Sequence, residues 1–280
     1  MASVTTIGDL LRKWRQRRRL SQLDLACEAE ISTRHLSFLE TGRSQPSREM
    51  VLHLAEQLEV PQRERNVLLV AAGYAPMFSE RSLEDPVLDN ARRAIHLVLE
   101  AQKPYPAFAI DRHWTIAATN GALPQLYEGV SPTLLKPPVN ALRLGLSPEG
   151  LAPKIANLAE WRAHLLARLR RQSDLTGDPV LVDLLQELLK YPAGVSKTPT
   201  LPLGSMQHEV VVPLQICAGT RLLSFFSTTT IFGSPVDVTL SELALECFYP
   251  ADQATADAVR AITDSAQPEE DAAPVKRIAS

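Results

Sequence analysis

Between positions 32 and 43 the chain reads Ser-Thr-Arg-His-Leu-Ser-Phe-Leu-Glu-Thr-Gly-Arg, and helical spacing sorts these residues into two faces. Leu36 and Leu39, with Ile31 just before them, fall on one side as core. Thr33, Arg34, Ser37, Phe38 and Thr41 share the other. From such a face Arg34 can donate two hydrogen bonds to the guanine edge in a major groove, and Thr33 can meet a thymine methyl or an acceptor. Gln22, at the amino end of an earlier helix, stands where backbone N–H groups and a side-chain amide hold a phosphate. Phe38 leaves two readings open: contact with thymine methyls, or packing against another part of the chain.

No comparable set of residues points to catalysis. His208-Glu209 begins a zinc-protease-like string, but Val212 stands where the second histidine is required. There is no G-x-S-x-G elbow, phosphate loop or dinucleotide fingerprint. Asp111-x-His113 offers two ligands, too few for a metal site. Neither an enzyme nor a metal protein is expected.

Five short helices position the first constellation. Ile7, Leu10, Leu11 and Trp14 recur at helical spacing ahead of the basic run Arg15–Arg19. Ser21, followed three residues on by Asp24, opens a helix over about Gln22–Glu28 with a capping-box-like start. Ser32 caps Thr33–Glu40, which Gly42 stops, and Ser47 caps Arg48–Leu58. Pro61 begins a last helix that runs to about Ala72. The second and third helices, linked by Ala29-Glu30-Ile31, make a helix-turn-helix unit.

These residues carry a family likeness. Leu20-Ser21-Gln22-Leu23-Asp24-Leu25-Ala26, Ile31-Ser32-Thr33-Arg34, Leu39-Glu40-Thr41-Gly42-Arg43 and Pro46-Ser47 together resemble the XRE (Cro/repressor-type) helix-turn-helix family over about sixty-five residues. The resemblance implies DNA contact at Gln22, Ser32, Thr33, Arg34, Ser37 and Phe38, with Thr41 and Arg43 on the sugar–phosphate backbone. It also implies a structural ion pair between Arg15 and Glu40 that joins the first and third helices.

After residue 74 the pattern changes. Residues 75–90 read as a linker, polar and bracketed by prolines at Pro76 and Pro86. A helix over about Val87–Ala101 overlaps its end. Then come the run Ala107-Phe108-Ala109-Ile110, a turn at Asp111-Arg112-His113 and a second run from Trp114 to Asn120, which together make a hairpin. A helix follows at about Gly121–Tyr127, then a Pro-rich irregular stretch over Ser131–Pro153. Two helices come next, one marked by Ile155 to Leu169 and one across Val180–Leu189. Three strand-like runs close the domain at Glu209–Cys217, Leu222–Phe232 and Glu242–Tyr249, and Asp252–Ile262 is a final helix. The plan is an all-α five-helix domain at 1–74 followed by an α+β domain at 91–263, with a frayed tail at 264–280.

Trp114 with Asn120, Trp161, Asp178-Pro179-x-Leu181 and the runs Leu223-Ser-Phe-Phe-Ser and Pro235-Val-Asp-Val-Thr look like the MmyB-like ligand-binding domain that follows such a helix-turn-helix in bacterial regulators. The resemblance covers about Ala91 to Ile262. It implies a PAS-like domain, an antiparallel sheet surrounded by helices around a pocket, and a possible fatty-acid-like effector. Alternation on the strands puts Leu223, Phe225 and Ser227 on one face and Leu222, Ser224 and Phe226 on the other. Candidate ligand contacts are Phe108, Trp114, Leu223, Phe225 and Phe226, set against the plainer reading that these side chains fill a core.

Charge and composition agree with this division. The chain of 280 residues carries a net −3, yet residues 1–48 hold nine Lys/Arg against five Asp/Glu, so a basic amino-terminal module sits on an acidic body. That pattern fits contact with phosphate at one end only, and the expected partners are double-stranded DNA, a second copy in a homodimer and a small-molecule effector. Cys27, Cys217 and Cys247 are odd in number and form no C-x-x-C pair, so reduced thiols are expected. Without an apolar signal-peptide core or a membrane span, the expected location is cytoplasmic.

Overall fold

Each of the first four helices begins at a side chain that satisfies its free N–H groups. In the computed structural model, which describes residues 5–193, 212–232 and 237–266, these are α1 (Ile7–Arg17), α2 (Gln22–Glu28), α3 (Thr33–Glu40) and α4 (Arg48–Gln57). Thr6 and Ser21 form full capping boxes with Asp9 and Asp24, and Ser32 and Ser47 accept from His35 and Met50. α5 (Gln62–Ala71) follows Pro61. Leu11, Trp14, Leu25, Leu36, Leu39, Leu54 and Leu69 bury one shared core.

The α2–α3 turn is built on Glu30, a non-glycine residue in the left-handed region at φ 53°. Ile31 N–H donates back to Ala26 O at 2.9 Å across it. Gly8 lets α1 lie directly on the end of α3. A Cβ at that position would fall 2.6 Å from Glu40 O and 2.7 Å from Leu39 O.

Two compact units divide the chain. The first comprises residues 1–85 with 171–179 and 233–242, and the second comprises 86–170, 180–232 and 243–280. The stretch expected to be a linker is tied down within the first unit. Asn66 on α5 accepts from the Met77 and Phe78 amides and donates to Phe78 O. Val238 N–H donates to Ser79 O at 2.8 Å, and the buried Asp237 carboxylate pairs with Arg81 at 3.2 Å.

The second unit begins with α6 (Asp89–Ala101), then β1 (Ala107–Ile110), β2 (Ile116–Thr119) and α7 (Ala141–Leu146). α8 (Leu158–Thr176) starts in this unit and ends in the first, and α9 (Pro179–Leu189) runs the other way. β3 (Leu214–Ala218) and β4 (Arg221–Ile231) follow. The short α10 (Val238–Ser241) belongs to the first unit, before β5 (Ala244–Pro250) and α11 (Gln253–Ala266). Within the sheet these strands pair antiparallel, in the order β2-β1-β5-β4-β3. The expected plan, five helices and then an α+β, PAS-like domain, is the one observed.

Several elements differ in extent from the sequence reading. The helix expected at Gly121–Tyr127 is a single 3-10 turn over Pro124–Tyr127. The irregular Ser131–Pro153 stretch contains α7, six residues capped by Asn140. The third strand run begins at Leu214; residues 194–211, with His208-Glu209, lie outside the described residues, as does the tail from residue 267.

Asn120 explains part of the Trp114-to-Asn120 pattern. It is buried, donates to Leu99 O and Tyr105 O, and accepts from the Ala107 and Ala122 amides. One side chain therefore joins the ends of α6, β1 and β2, with every hydrogen-bonding valence filled.

Candidate nucleic-acid interface and internal cavity

α3 turns Leu36 and Leu39 fully inward, which leaves Arg34 exposed and Ser37 and Phe38 half-buried on its outer side. Thr41 and Arg43 are exposed just past its end. The Phe38 ring lies between two arginines: the guanidinium of Arg34 is 5.3 Å from its centroid and that of Arg43 is 5.9 Å. Both distances are within cation–π range. Phe38 thus has a role that the sequence reading did not contain, as a platform for the Arg34 and Arg43 guanidiniums.

Behind this face, Arg15 on α1 grips the Glu40 carboxylate with two bonds, 2.6 and 2.9 Å. The Glu40 side chain is wholly buried, and Arg12 approaches it at 3.5 Å. The ion pair implied by the family resemblance is present. Burial pushes the Glu40 carboxyl up, but the bonds from Arg15 and Gln22 outweigh it and hold it below the ordinary carboxylate range. Gln22 spends its amide N–H here, donating to Glu40 at 2.8 Å. It braces the carboxylate that fixes α3.

The basic run after Trp14 is largely committed as well. Arg18 donates to Leu58 O and Glu59 O, each at 2.8 Å, and Arg17 to Thr176 O at 3.1 Å. Both guanidiniums also lie over the Trp14 ring, at 4.6 Å for Arg17 and 5.5 Å for Arg18. These two cations serve the fold.

In the second unit, one sheet face and the helices over it enclose a cavity of about 730 Å³, its mouth included. Leu142, Leu144, Leu151, Ile155, Leu165 and Ile216 supply aliphatic wall, and Phe108, Trp114, Trp161 and Phe248 supply aromatic wall. The largely apolar lining with a few polar groups is that of a small-molecule site. Among the described residues its polar groups are few: Tyr127, His164, Arg168, Ser227 and Glu246.

Arg168 and Glu246 pair directly. Glu246 is nearly fully buried and also accepts from Thr229 Oγ1 at 2.9 Å. The Arg168 guanidinium lies 4.7 Å from the Trp114 ring centroid. Trp114 itself is held at φ 66°, a conformation bulky residues rarely adopt, by the Ala141 N–H bond to its carbonyl at 2.8 Å. Burial and the neighbouring Arg168 hold the His164 imidazole below its ordinary pKa, so it stays neutral at pH 7.

Residues 6–68 match the family model of a helix-turn-helix domain, and residues 91–262 match that of the MmyB-like transcription regulator ligand binding domain. The chain belongs to the MmyB-like transcription regulators. No curated protein matches it. With a DNA-binding module and a ligand-binding domain, this MmyB-like regulator is a ligand-responsive transcription regulator. The matched ligand-binding domain is one of transcription regulators. Among the described residues no helix is long and apolar enough to cross a membrane, and no cluster of His, Cys, Asp or Glu could hold a metal.

Of the five ligand-contact candidates, Phe108 and Trp114 line the cavity of the MmyB-like regulator. Leu223, Phe225 and Phe226 are not among its lining residues. Leu223 and Phe225 do face the cavity side of the sheet, but they are fully buried in the core, with Phe225 edge-on to Phe248 at 6.4 Å. Phe226 points to the opposite face and stacks on Tyr249 at 5.3 Å.

The sequence reading did not find the polar end of the cavity. A signal was available: Glu246 is a lone carboxylate in the apolar run Leu243–Tyr249, and Trp161, Leu165 and Arg168 share one face of α8.

Proposed function

We propose that this regulator binds a specific DNA sequence through α3 and releases or tightens that hold when a lipophilic, fatty-acid-like molecule occupies its cavity. The observation that carries the DNA half is the exposed face of α3, where Arg34 and Arg43 flank Phe38 above a rigidly anchored helix. Arg34 reads a guanine edge, while Thr41 and Arg43 meet the sugar–phosphate backbone. Ser32, Thr33 and Ser37 lie on the same approach. A homodimer would place two such helices over half-sites about one helical turn apart, with cytoplasmic DNA as the partner.

Ligand can act on this face only if it binds two arrangements of the protein with different affinity. Chain continuity supports one route. α8 carries Trp161, His164, Leu165 and Arg168 on the cavity wall, and its far end presents the Thr176 carbonyl to Arg17 on α1. A second route is the connection between β4 and β5, where Glu242 pairs with Arg63 on α5 at 2.9 Å.

The test is native mass spectrometry of the full chain, with extraction of whatever copurifies, followed by DNA binding with and without the extract. A retained lipophilic molecule that changes DNA affinity supports the reading. A chain whose DNA affinity ignores every lipophilic addition contradicts it.

A further inference from the structure

The charges at the polar end of the cavity cancel. Among the described titratable groups on its wall, Arg168 contributes a cation and Glu246 an anion, paired with each other, while Tyr127 and His164 are neutral at pH 7. Glu246 is the better enclosed of the pair, its side chain 5% exposed against 31% for Arg168. Among the described residues, the remainder of the wall is aliphatic and aromatic apart from Ser227.

A free carboxylate entering this end would meet an arginine that already has its counter-ion. It would leave a net negative charge in a poorly solvated place and would lie beside a second carboxylate. An ammonium would meet the converse difficulty, with Arg168 beside it. An uncharged hydroxyl or amide carries no such penalty and still finds partners. Arg168 has five N–H donors and its bond to Glu246 uses the Nη2 end, Glu246 has acceptor capacity left, and Ser227 offers a hydroxyl nearby.

We infer that the cavity is selective for an uncharged amphiphile, an apolar chain ending in a hydroxyl or amide head, and that the Arg168–Glu246 pair excludes the free fatty acid. This rests on the reading of the cavity as the effector site and narrows it. The effector resembles a fatty acid in its chain and differs from one at its head.

The experiment is isothermal titration of the full-length protein with 1-decanol, decanamide, decanoate and decylamine at pH 8. In the wild type, decanol and decanamide should bind at least tenfold more tightly than decanoate or decylamine. Glu246→Gln leaves Arg168 without its counter-ion, so decanoate should gain at least tenfold and overtake decanol. Arg168→Gln should shift preference towards decylamine in the same way. A merely structural pair would weaken all four probes together.

A wild type that prefers decanoate overturns the inference while sparing the effector reading, and so does a Glu246→Gln variant in which decanoate gains nothing. Failure of all four to bind the wild type overturns both. The wild-type ranking needs no variant, so the inference stays testable even if either substitution prevents folding.

Discussion

The guanidinium of Arg34 rests 5.3 Å from the centre of the Phe38 ring, one helical turn further along α3, and Arg43 approaches the same ring at 5.9 Å. An aromatic residue on an outward face is therefore an ordering device for the two charges beside it. Each such contact contributes about 0.5–1 kcal/mol at an exposed site. Phe38→Ala is expected to weaken binding to every duplex by roughly tenfold, whereas Phe38→Tyr should retain most of the affinity. Thermal unfolding should change little, because Phe38 is only half-buried. Fluorescence anisotropy with labelled duplexes measures this directly, and a Phe38→Ala protein with unaltered affinity would remove the platform role.

The buried Glu40 carboxylate should make the first unit sensitive to acid. Its folded pKa lies below the ordinary value near 4.3. Its contribution is thus fully present above that value and is lost as pH falls through the folded pKa. Arg15→Met should cost on the order of 3–5 kcal/mol at neutral pH, since it strands a buried charge. Arg15→Met with Glu40→Leu together should recover much of the loss. Denaturant unfolding between pH 3 and 7 should show a shallower pH slope in the double variant than in the wild type.

Close approach of two helices gives a further prediction. Gly8→Ala would press a methyl group against Glu40 O and Leu39 O, both backbone atoms that cannot swing aside. The gain in helix propensity from alanine, about 1 kcal/mol, is smaller than the overpacking cost of about 1–3 kcal/mol expected for a tight interface. A lower denaturant midpoint with unchanged slope would bear this out. A stabilised variant would show that α1 can move away from α3 freely.

Capping chemistry made the first unit readable before its coordinates. Ser21 with Asp24, Ser32 and Ser47 are local signals, and each marks a helix start where the structure has one. The Arg15–Glu40 pair came from family resemblance, since nothing in its spacing of twenty-five residues announces a contact.

The second unit was legible in plan and less so in detail. α7 is only six residues long and contains Gly145, so helical periodicity has little room to appear. Strand alternation put Leu223 and Phe225 on one face and Phe226 on the other, but it could not say which face borders the cavity or which side chains fill the core. The Arg168–Glu246 pair joins residues 78 apart, one on a helix and one on a strand, and only the folded chain brings them together.

The Arg17 bond to Thr176 O suggests a variant that separates sensing from binding. Arg17→Ala should leave the affinity for a cavity ligand unchanged, because Arg17 does not line the cavity. It should reduce the factor by which that ligand changes DNA affinity, by severalfold if α8 is the main route. Paired titrations of ligand and of DNA, each with and without the other, give the coupling directly. An unchanged coupling factor would assign the route elsewhere, with the Arg63–Glu242 pair as the next to vary.

The most direct test of the account compares Arg34→Ala with Arg43→Ala on a preferred duplex selected from random DNA and on a scrambled one, across several salt concentrations. Arg34→Ala should cost about 1–3 kcal/mol on the preferred duplex and flatten discrimination at one base position, because its two donors read a base edge. Arg43→Ala should weaken both duplexes alike and lower the log–log salt slope by about one, as expected for a lost phosphate contact. If Arg34→Ala instead lowers preferred and scrambled affinity equally, α3 does not read sequence through Arg34, and the central claim fails.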